Sequence, residues 1–284
     1  MKFEDQIMIK GKIYTHVDTQ RDGMSAVYKD DSVYVRIGDR EKIKRDLMLH
    51  KNMESAGFPV AELLDEGEIE DMYFFIETSL GDKNFGLIFK EETEKFGEIK
   101  DETFDAFISI CVQFAEAQLK RLPSKKSWVD FEKGIHLDLI CKELPKEAKN
   151  IKKKIKEIKK NLMKLPFVLS HGDFTPFNIY PKGIIDFEDS LIAPFGYDVG
   201  SILGHLNWFP ESNMYEYYQL YCFSNVQREK YYEAINKVYL KNNFPPFSTF
   251  LRDYDFVKGI WFAVRMERAP KLQQYRYDLL RKII

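Results

Sequence analysis

Residues 171–187 hold the groups in this chain best suited to chemistry. His171-Gly172-Asp173-Phe174-Thr175-Pro176-Phe177-Asn178 is followed by Ile184-Ile185-Asp186-Phe187, so two carboxylates and a carboxamide fall within fourteen residues. Moving a phosphoryl group off a nucleotide needs such a set. One carboxylate must orient the attacking hydroxyl, and hard oxygen ligands must hold the Mg²⁺ that neutralises the phosphate charge. Taken alone, an Asp or a His-Gly pair would be an ordinary turn. Here the flanking residues converge. Val168-Leu169 is an apolar strand lead-in, and Asn178-Ile179-Tyr180 resumes a strand after the polar loop. Pro181-Lys182-Gly183 then turns, and Gly183-Ile184-Ile185 runs into Asp186. Alternating strand and tight turn bring positions 178 and 186 side by side at one end of a hairpin.

The elements that must position this loop divide in two. Residues 1–80 read as short strands with one helix. Lys12–Asp18 is a strand, and 26–29 with 32–37 form a hairpin about Asp30-Asp31. Lys42–Ala56 carries Ile43, Leu47, Met48 and Met53 at helical spacing and stops at Gly57 and Pro59. Val60–Gly67 and Met72–Thr78 complete five strands. The turn Thr19-Gln20-Arg21-Asp22-Gly23-Met24-Ser25 is polar and holds one glycine, so its backbone N–H groups can face phosphates. A cation at Arg36, held by a carboxylate on the next helix (Asp46, with Glu41 and Glu54 as alternatives), would clamp nucleotide phosphates. Residues 81–284 read as mainly helical, with helices expected over Asp101–Leu122, Lys142–Lys164, Tyr197–Leu206, Glu216–Ser224, Arg228–Asn242 and Leu251–Arg268.

Composition sets the outer limits. The 284 residues suffice for two domains, and 44% apolar with 31% charged residues is ordinary for a folded soluble protein. A net charge of −2 exerts no whole-molecule pull on nucleic acid or acidic membranes. Charges at Lys2, Glu4 and Asp5 occupy the place of a signal peptide's apolar core, and no run approaches the ~20 apolar residues of a membrane span. Cys111, Cys141 and Cys222 lack metal-ligand spacing and read as thiols in a reducing compartment, so a cytoplasmic location is expected. Ten lysines against three glutamates over Lys142–Lys164 read as a solvated helix face, and a nucleic-acid partner is disfavoured.

The His171–Asn178 and Ile185–Phe187 wording, with Gly196-Tyr197-Asp198, resembles the aminoglycoside phosphotransferase and choline kinase family, whose fold is similar to that of protein kinases. The resemblance implies an α+β, bilobal fold with a small antiparallel sheet lobe (1–80) and a larger helical lobe (81–284). It implies transfer of the γ-phosphoryl group of ATP or GTP, with Mg²⁺, to a hydroxyl of a small molecule, by a monomer or homodimer. Carried onto this sequence, it makes Asp173 the catalytic base and Asn178 and Asp186 the Mg²⁺ ligands. His171 would brace the loop and Asp198 anchor it. Ser25, Arg36 and Asp46 would meet the phosphates, and Glu77-Thr78-Ser79 would be the hinge whose backbone meets adenine. Relatives generally place Lys and Glu where Arg36 and Asp46 stand, which reads as a compensated swap of reach.

The acceptor side is less defined. Glu188 and Trp208 lie nearest the motif, and Asp189, Glu211, Asp253, Asp255 and Glu267 are further acidic positions that a polyamine would favour. A non-catalytic, pseudokinase-like nucleotide-binding module is the alternative reading, opposed by retention of Asp173, Asn178 and Asp186 together. Only eleven residues separate Asp186 from Asp198, too few for the long activation loop that would hold a peptide.

Overall fold

The computed structural model describes residues 3–20, 23–120, 122, 127–264, 266 and 268–284. Arg21 and Asp22 of the polar turn, and Glu267, lie outside the described residues. The chain forms two compact units: Met1–Lys83 with Tyr180–Ile184, and Asn84–Ile179 with Ile185–Ile284.

The first unit is a six-stranded antiparallel sheet with one helix. Its strands are β1 (Gln6–Ile9), β2 (Lys12–Thr19), β3 (Ser25–Lys29), β4 (Val33–Asp39), β5 (Leu63–Ile69) and β6 (Met72–Thr78), in the order β1-β2-β3-β4-β6-β5. Helix α1 (Arg40–Ser55) leaves β4 directly, capped by the Asp39 carboxylate on the Lys42 N–H. One sheet face buries Tyr14, Tyr28, Val35, Ile37, Phe74 and Ile76. From the other, Phe75 packs against Ile43 and Leu47 of α1. Strand β1 adds to the expected five. Lys10 and Gly11 both adopt positive φ, the two-residue hairpin turn that matches strand twist, and pair Gln6–Ile9 with β2. Residues 180–184 belong here because the Lys182 N–H donates to Leu80 O and the Ile184 N–H to Pro59 O.

The second unit is mainly helical. Its elements are α2 (Phe85–Phe96), α3 (Asp101–Lys120), α4 (Trp128–Gly134), α5 (Leu137–Glu143), α6 (Ala148–Leu162), β7 (Phe167–Ser170), β10 (Leu191–Pro194), α7 (Tyr197–Ser201), α8 (Asn225–Lys241), α9 (Leu251–Ala263) and α10 (Pro270–Ile283). The short hairpin strands β8 (Ile179–Tyr180) and β9 (Gly183–Ile184) lie between β7 and β10 in the chain. Strands β7 and β10 pair antiparallel and carry the polar loop at their end. Phe85 and Phe89 of α2, Phe104 and Phe107 of α3, and Phe223 form an aromatic cluster in which Phe85–Phe107, Phe89–Phe107 and Phe89–Phe223 meet edge to face.

Several expectations change. The lysine-rich stretch is two helices, α5 and α6, separated by the segment containing Pro145, and only the Ile151, Ile155, Ile158 and Leu162 stripe of α6 is buried. Helices α2, α4 and α10 were not foreseen, and the helix expected over Tyr197–Leu206 is a short α7 followed by a 3₁₀ helix at Gly204–Trp208. Glu216–Ser224 is not helical: Tyr221 and Phe223 are buried while Cys222 and Ser224 are exposed, and Gln219 donates to the carbonyls of Leu206 and Phe209. Alternating burial of aromatic side chains overrides a weak helical preference there. Among the described residues, no helix is long and apolar enough to cross a membrane.

Candidate active site

In the second unit the polar loop is held from several directions. Strand β7 ends at Ser170, and the next two amides, of His171 and Gly172, donate to the Asp198 carboxylate at 2.9 and 3.1 Å. Asp198 is fully buried near the start of α7, and the Gln118 amide of α3 also donates to it at 3.2 Å. Three donors in a dry site are what a buried carboxylate needs. Gly172 has φ +84°, and a Cβ there would stand 2.1 Å from the Asp189 carbonyl oxygen, so no side chain fits. His171, also buried, donates through Nε2 to Ile185 O at 2.8 Å and packs its ring on Phe187. The histidine thus ties the loop to the residue preceding Asp186.

Beyond Asp173 the chain makes a tight 3₁₀ turn, Pro176–Asn178, closed by Thr175 N–H to Asp173 O and Asn178 N–H to Thr175 O. The Asn178 carboxamide nitrogen donates to Asp173 O at 2.8 Å and to Asp173 Oδ2 at 3.2 Å. That use of its nitrogen leaves Oδ1 as an acceptor for a cation. The Ile185 N–H donates to Asn178 O at 3.0 Å, which puts Asp186 next in line beside Asn178. Asp186 is exposed and holds φ +64°, a conformation uncommon for a residue with a side chain and typical of functional positions. A carboxamide oxygen and one exposed carboxylate are the donors Mg²⁺ takes from protein when phosphates and water supply the remainder. Among the described residues there is no group of three or more His, Cys, Asp and Glu that could by itself hold a metal ion.

Asp173 is largely desolvated, and burial pushes its carboxyl above the usual range. Lys258, followed by His171, opposes that, while Asp189 and Asp186 add to it. Lys258, absent from the sequence expectations, is buried on α9 and donates to the Gly172 carbonyl.

Of the residues expected to face an acceptor, Glu188 and Glu211 are exposed. Asp253 takes a hydrogen bond from Asn161 at 3.1 Å, and Asp255 takes one from the Trp208 indole at 3.2 Å. Trp208 itself is only 3% exposed and lies against Gly259, where a Cβ would come within 2.0 Å of its ring. It is packed as core and presents no open stacking face. Arg276, 2% exposed, donates to the carbonyls of Trp208 and Phe262 and lies over the Phe209 ring.

In the first unit, Arg36 donates through Nε to Glu77 Oε1 at 3.1 Å. Tyr34 pairs opposite Glu77 and Arg36 opposite Phe75, so the two charges are diagonal neighbours on one sheet face. Val27, opposite Arg36, shares that face. The other Glu77 oxygen lies 3.4 Å from His50 Nδ1 on α1, and His50 Nε2 is 2.6 Å from Ala61 O. Arg36 thus pairs with a residue whose backbone alone had been assigned a role. Asp46, the expected partner, stands one turn before His50 on α1. The Thr78 and Ser79 amides donate to Glu62 O and Ser32 O, which engages two of the three hinge N–H groups. The Ser25 hydroxyl donates to Gln20 Oε1 at 2.6 Å, closing the polar turn from within.

The α+β architecture is the protein-kinase-like fold. The model of the phosphotransferase enzyme family matches residues 26–232, and the chain belongs to that family. Among solved structures it is similar to a choline/ethanolamine kinase family protein from Mesorhizobium loti, at 11% identity and a TM-score of 0.59, with 95% of this chain and 86% of that one covered. It is also similar to a thermostable mutant of the aminoglycoside phosphotransferase APH(4)-Ia in ternary complex with AMP-PNP and hygromycin B. That match has 15% identity and a TM-score of 0.52, covering 94% of this chain and 93% of that one. Comparison with curated proteins gives no match.

Proposed function

We propose that this phosphotransferase moves the γ-phosphoryl group of ATP or GTP onto a hydroxyl of a small molecule, and that Asp173 orients and accepts the hydroxyl proton. The observation that carries the reading is the bond from the Asn178 carboxamide to Asp173 with Asp186 next in line. The bond ties Asn178 to the proposed base, and Asp186, next along the chain from Ile185, supports the reading of these two as the oxygen ligands. Bound Mg²⁺ would neutralise the phosphate oxygens as they shift charge, and Asn178 and Asp186 would hold it.

The chain's other residues set geometry. Asp198 and His171 hold the loop so that Asp173 meets the acceptor in one orientation. Positioning of that kind supplies much of the barrier reduction in phosphoryl transfer. In the first unit Arg36, oriented by Glu77, meets the nucleotide phosphates from the sheet face it shares with Val27. Asp46 and the Ser25 turn support that face, and the strand end at Glu77 and Ser79 meets the base. The acceptor is a hydroxyl compound of the amino-sugar, sugar or choline-like kind. Glu188, two residues beyond Asp186 and exposed, is its nearest candidate contact, and Trp208 shapes that side through packing.

The test is a panel of amino sugars, neutral sugars, choline-like alcohols and amino alcohols, scored for acceptor-stimulated, Mg²⁺-dependent ADP release. At least one class should raise turnover tenfold over the water background. A protein that binds nucleotide tightly yet releases no ADP with any acceptor would instead be a non-catalytic nucleotide-binding module.

A further inference from the structure

Lys258 stands at the middle of α9 with 1% of its surface exposed. A lysine is seldom so buried unless its ammonium has a specific partner. Here the partner is a main-chain carbonyl of the catalytic loop, that of Gly172. Rings surround the ammonium, with centroids at 4.3 Å for Trp261, 4.8 Å for Tyr197 and 5.4 Å for Phe262. Such faces stabilise a desolvated cation. Burial lowers the pKa of Lys258, and Asp198, Asp173 and Asp189 push it back up. Gly172 is thereby held at both ends. Its N–H goes to Asp198, and its C=O, which belongs to the peptide leading into Asp173, takes the Lys258 ammonium.

We propose that Lys258 is a positioning residue of the phosphotransfer centre, fixing the Gly172–Asp173 peptide, and with it the direction of the Asp173 carboxylate, while serving as countercharge to Asp173, Asp189 and Asp198. It acts through Asp173 and touches neither nucleotide nor acceptor. The inference rests on the kinase reading for its consequence in turnover, but not for its consequence in loop order.

Two readouts separate these. In Lys258→Met, which keeps the length of the side chain without its charge, amide hydrogen exchange over residues 167–176 should quicken at least tenfold. Exchange over β4 and β6 should be unchanged. Acceptor-stimulated ADP release should fall about a hundredfold, with the Kd for AMP-PNP within threefold of wild type. In Lys258→Ala, added propylamine should restore at least tenfold of the lost turnover, while propan-1-ol should not. Equal rescue by amine and alcohol would reduce Lys258 to filler and overturn the proposal, as would wild-type exchange and turnover in Lys258→Met. If Lys258→Met does not fold, the amine-against-alcohol comparison in Lys258→Ala decides. If the wild-type protein releases no ADP with any acceptor, the kinase reading fails, and the exchange comparison still decides whether Lys258 orders the loop.

Discussion

The carboxylate of Asp198 accepts the backbone N–H of His171 at 2.9 Å, and its second oxygen accepts that of Gly172 at 3.1 Å. One buried side chain therefore sets two consecutive peptides immediately before Asp173. Asp198→Asn would turn an –NH₂ group towards one of those N–H donors. Charge-assisted bonds of this kind are worth about 1.5–3 kcal/mol each. We expect a fall in Tm of several degrees and a loss of kcat of ~10–100-fold with nucleotide Kd little changed. Thermal unfolding and initial rates measure both, and an unaltered kcat would remove the anchoring role.

Much of this arrangement was legible in the sequence, and the reason is local. His171, Asp173, Asn178 and Asp186 lie in one strand–loop–hairpin segment, where spacing alone constrains geometry. Asp198 follows after a short connection. What was not legible depends on partners distant in sequence. Glu77 was read as a hinge residue because nothing local shows that the β4–β6 register sets it diagonal to Arg36. Lys258 and Gln118 reach the loop from helices 86 and about 50 residues away. Their one sequence signal was a lone polar residue among apolar neighbours, such as Phe256-Val257-Lys258-Gly259-Ile260. Tyr221 and Phe223 follow strand-like alternation in a stretch that composition had assigned to a helix.

The Arg36–Glu77 pair gives a second expectation. Glu77 is 6% exposed, so neutralising it removes the buried carboxylate that Arg36 Nε faces. Glu77→Gln and Arg36→Met should each raise the nucleotide Kd roughly tenfold. In a double-mutant cycle their coupling should be about 1–2 kcal/mol. A larger coupling between Arg36 and Asp46 would return the clamp to the helix carboxylate.

Gly172→Ala tests the close approach at the loop. With φ +84° and a Cβ 2.1 Å from Asp189 O, the backbone must move. Turnover should fall at least a hundredfold while far-UV circular dichroism is retained. Activity within threefold of wild type would show that the turn is freer than its geometry implies.

His205 provides a pH expectation. It is 4% exposed, donates through Nδ1 to Ile202 O, and burial pushes its pKa down to about 4 from 6.5. The folded protein therefore prefers the neutral ring. Its stabilising contribution is complete above pH 6.5, declines as the unfolded chain takes up the proton, and is gone once pH passes below about 4. That contribution is roughly 3 kcal/mol. In His205→Gln the decline of Tm between pH 7 and pH 4 should be shallower than in wild type. A parallel decline would show that His205 does not set it.

The central claim is that Asp173 orients and accepts the acceptor's proton at a site where Asn178 and Asp186 hold Mg²⁺. The most direct measurement is the steady-state kinetics of Asp173→Asn with the best acceptor, together with the Kd for Mg²⁺–AMP-PNP. The expected kcat is ~10²–10⁴ below wild type, about 3–5 kcal/mol of barrier, with the nucleotide Kd within threefold. Turnover close to that of wild type would contradict the assignment.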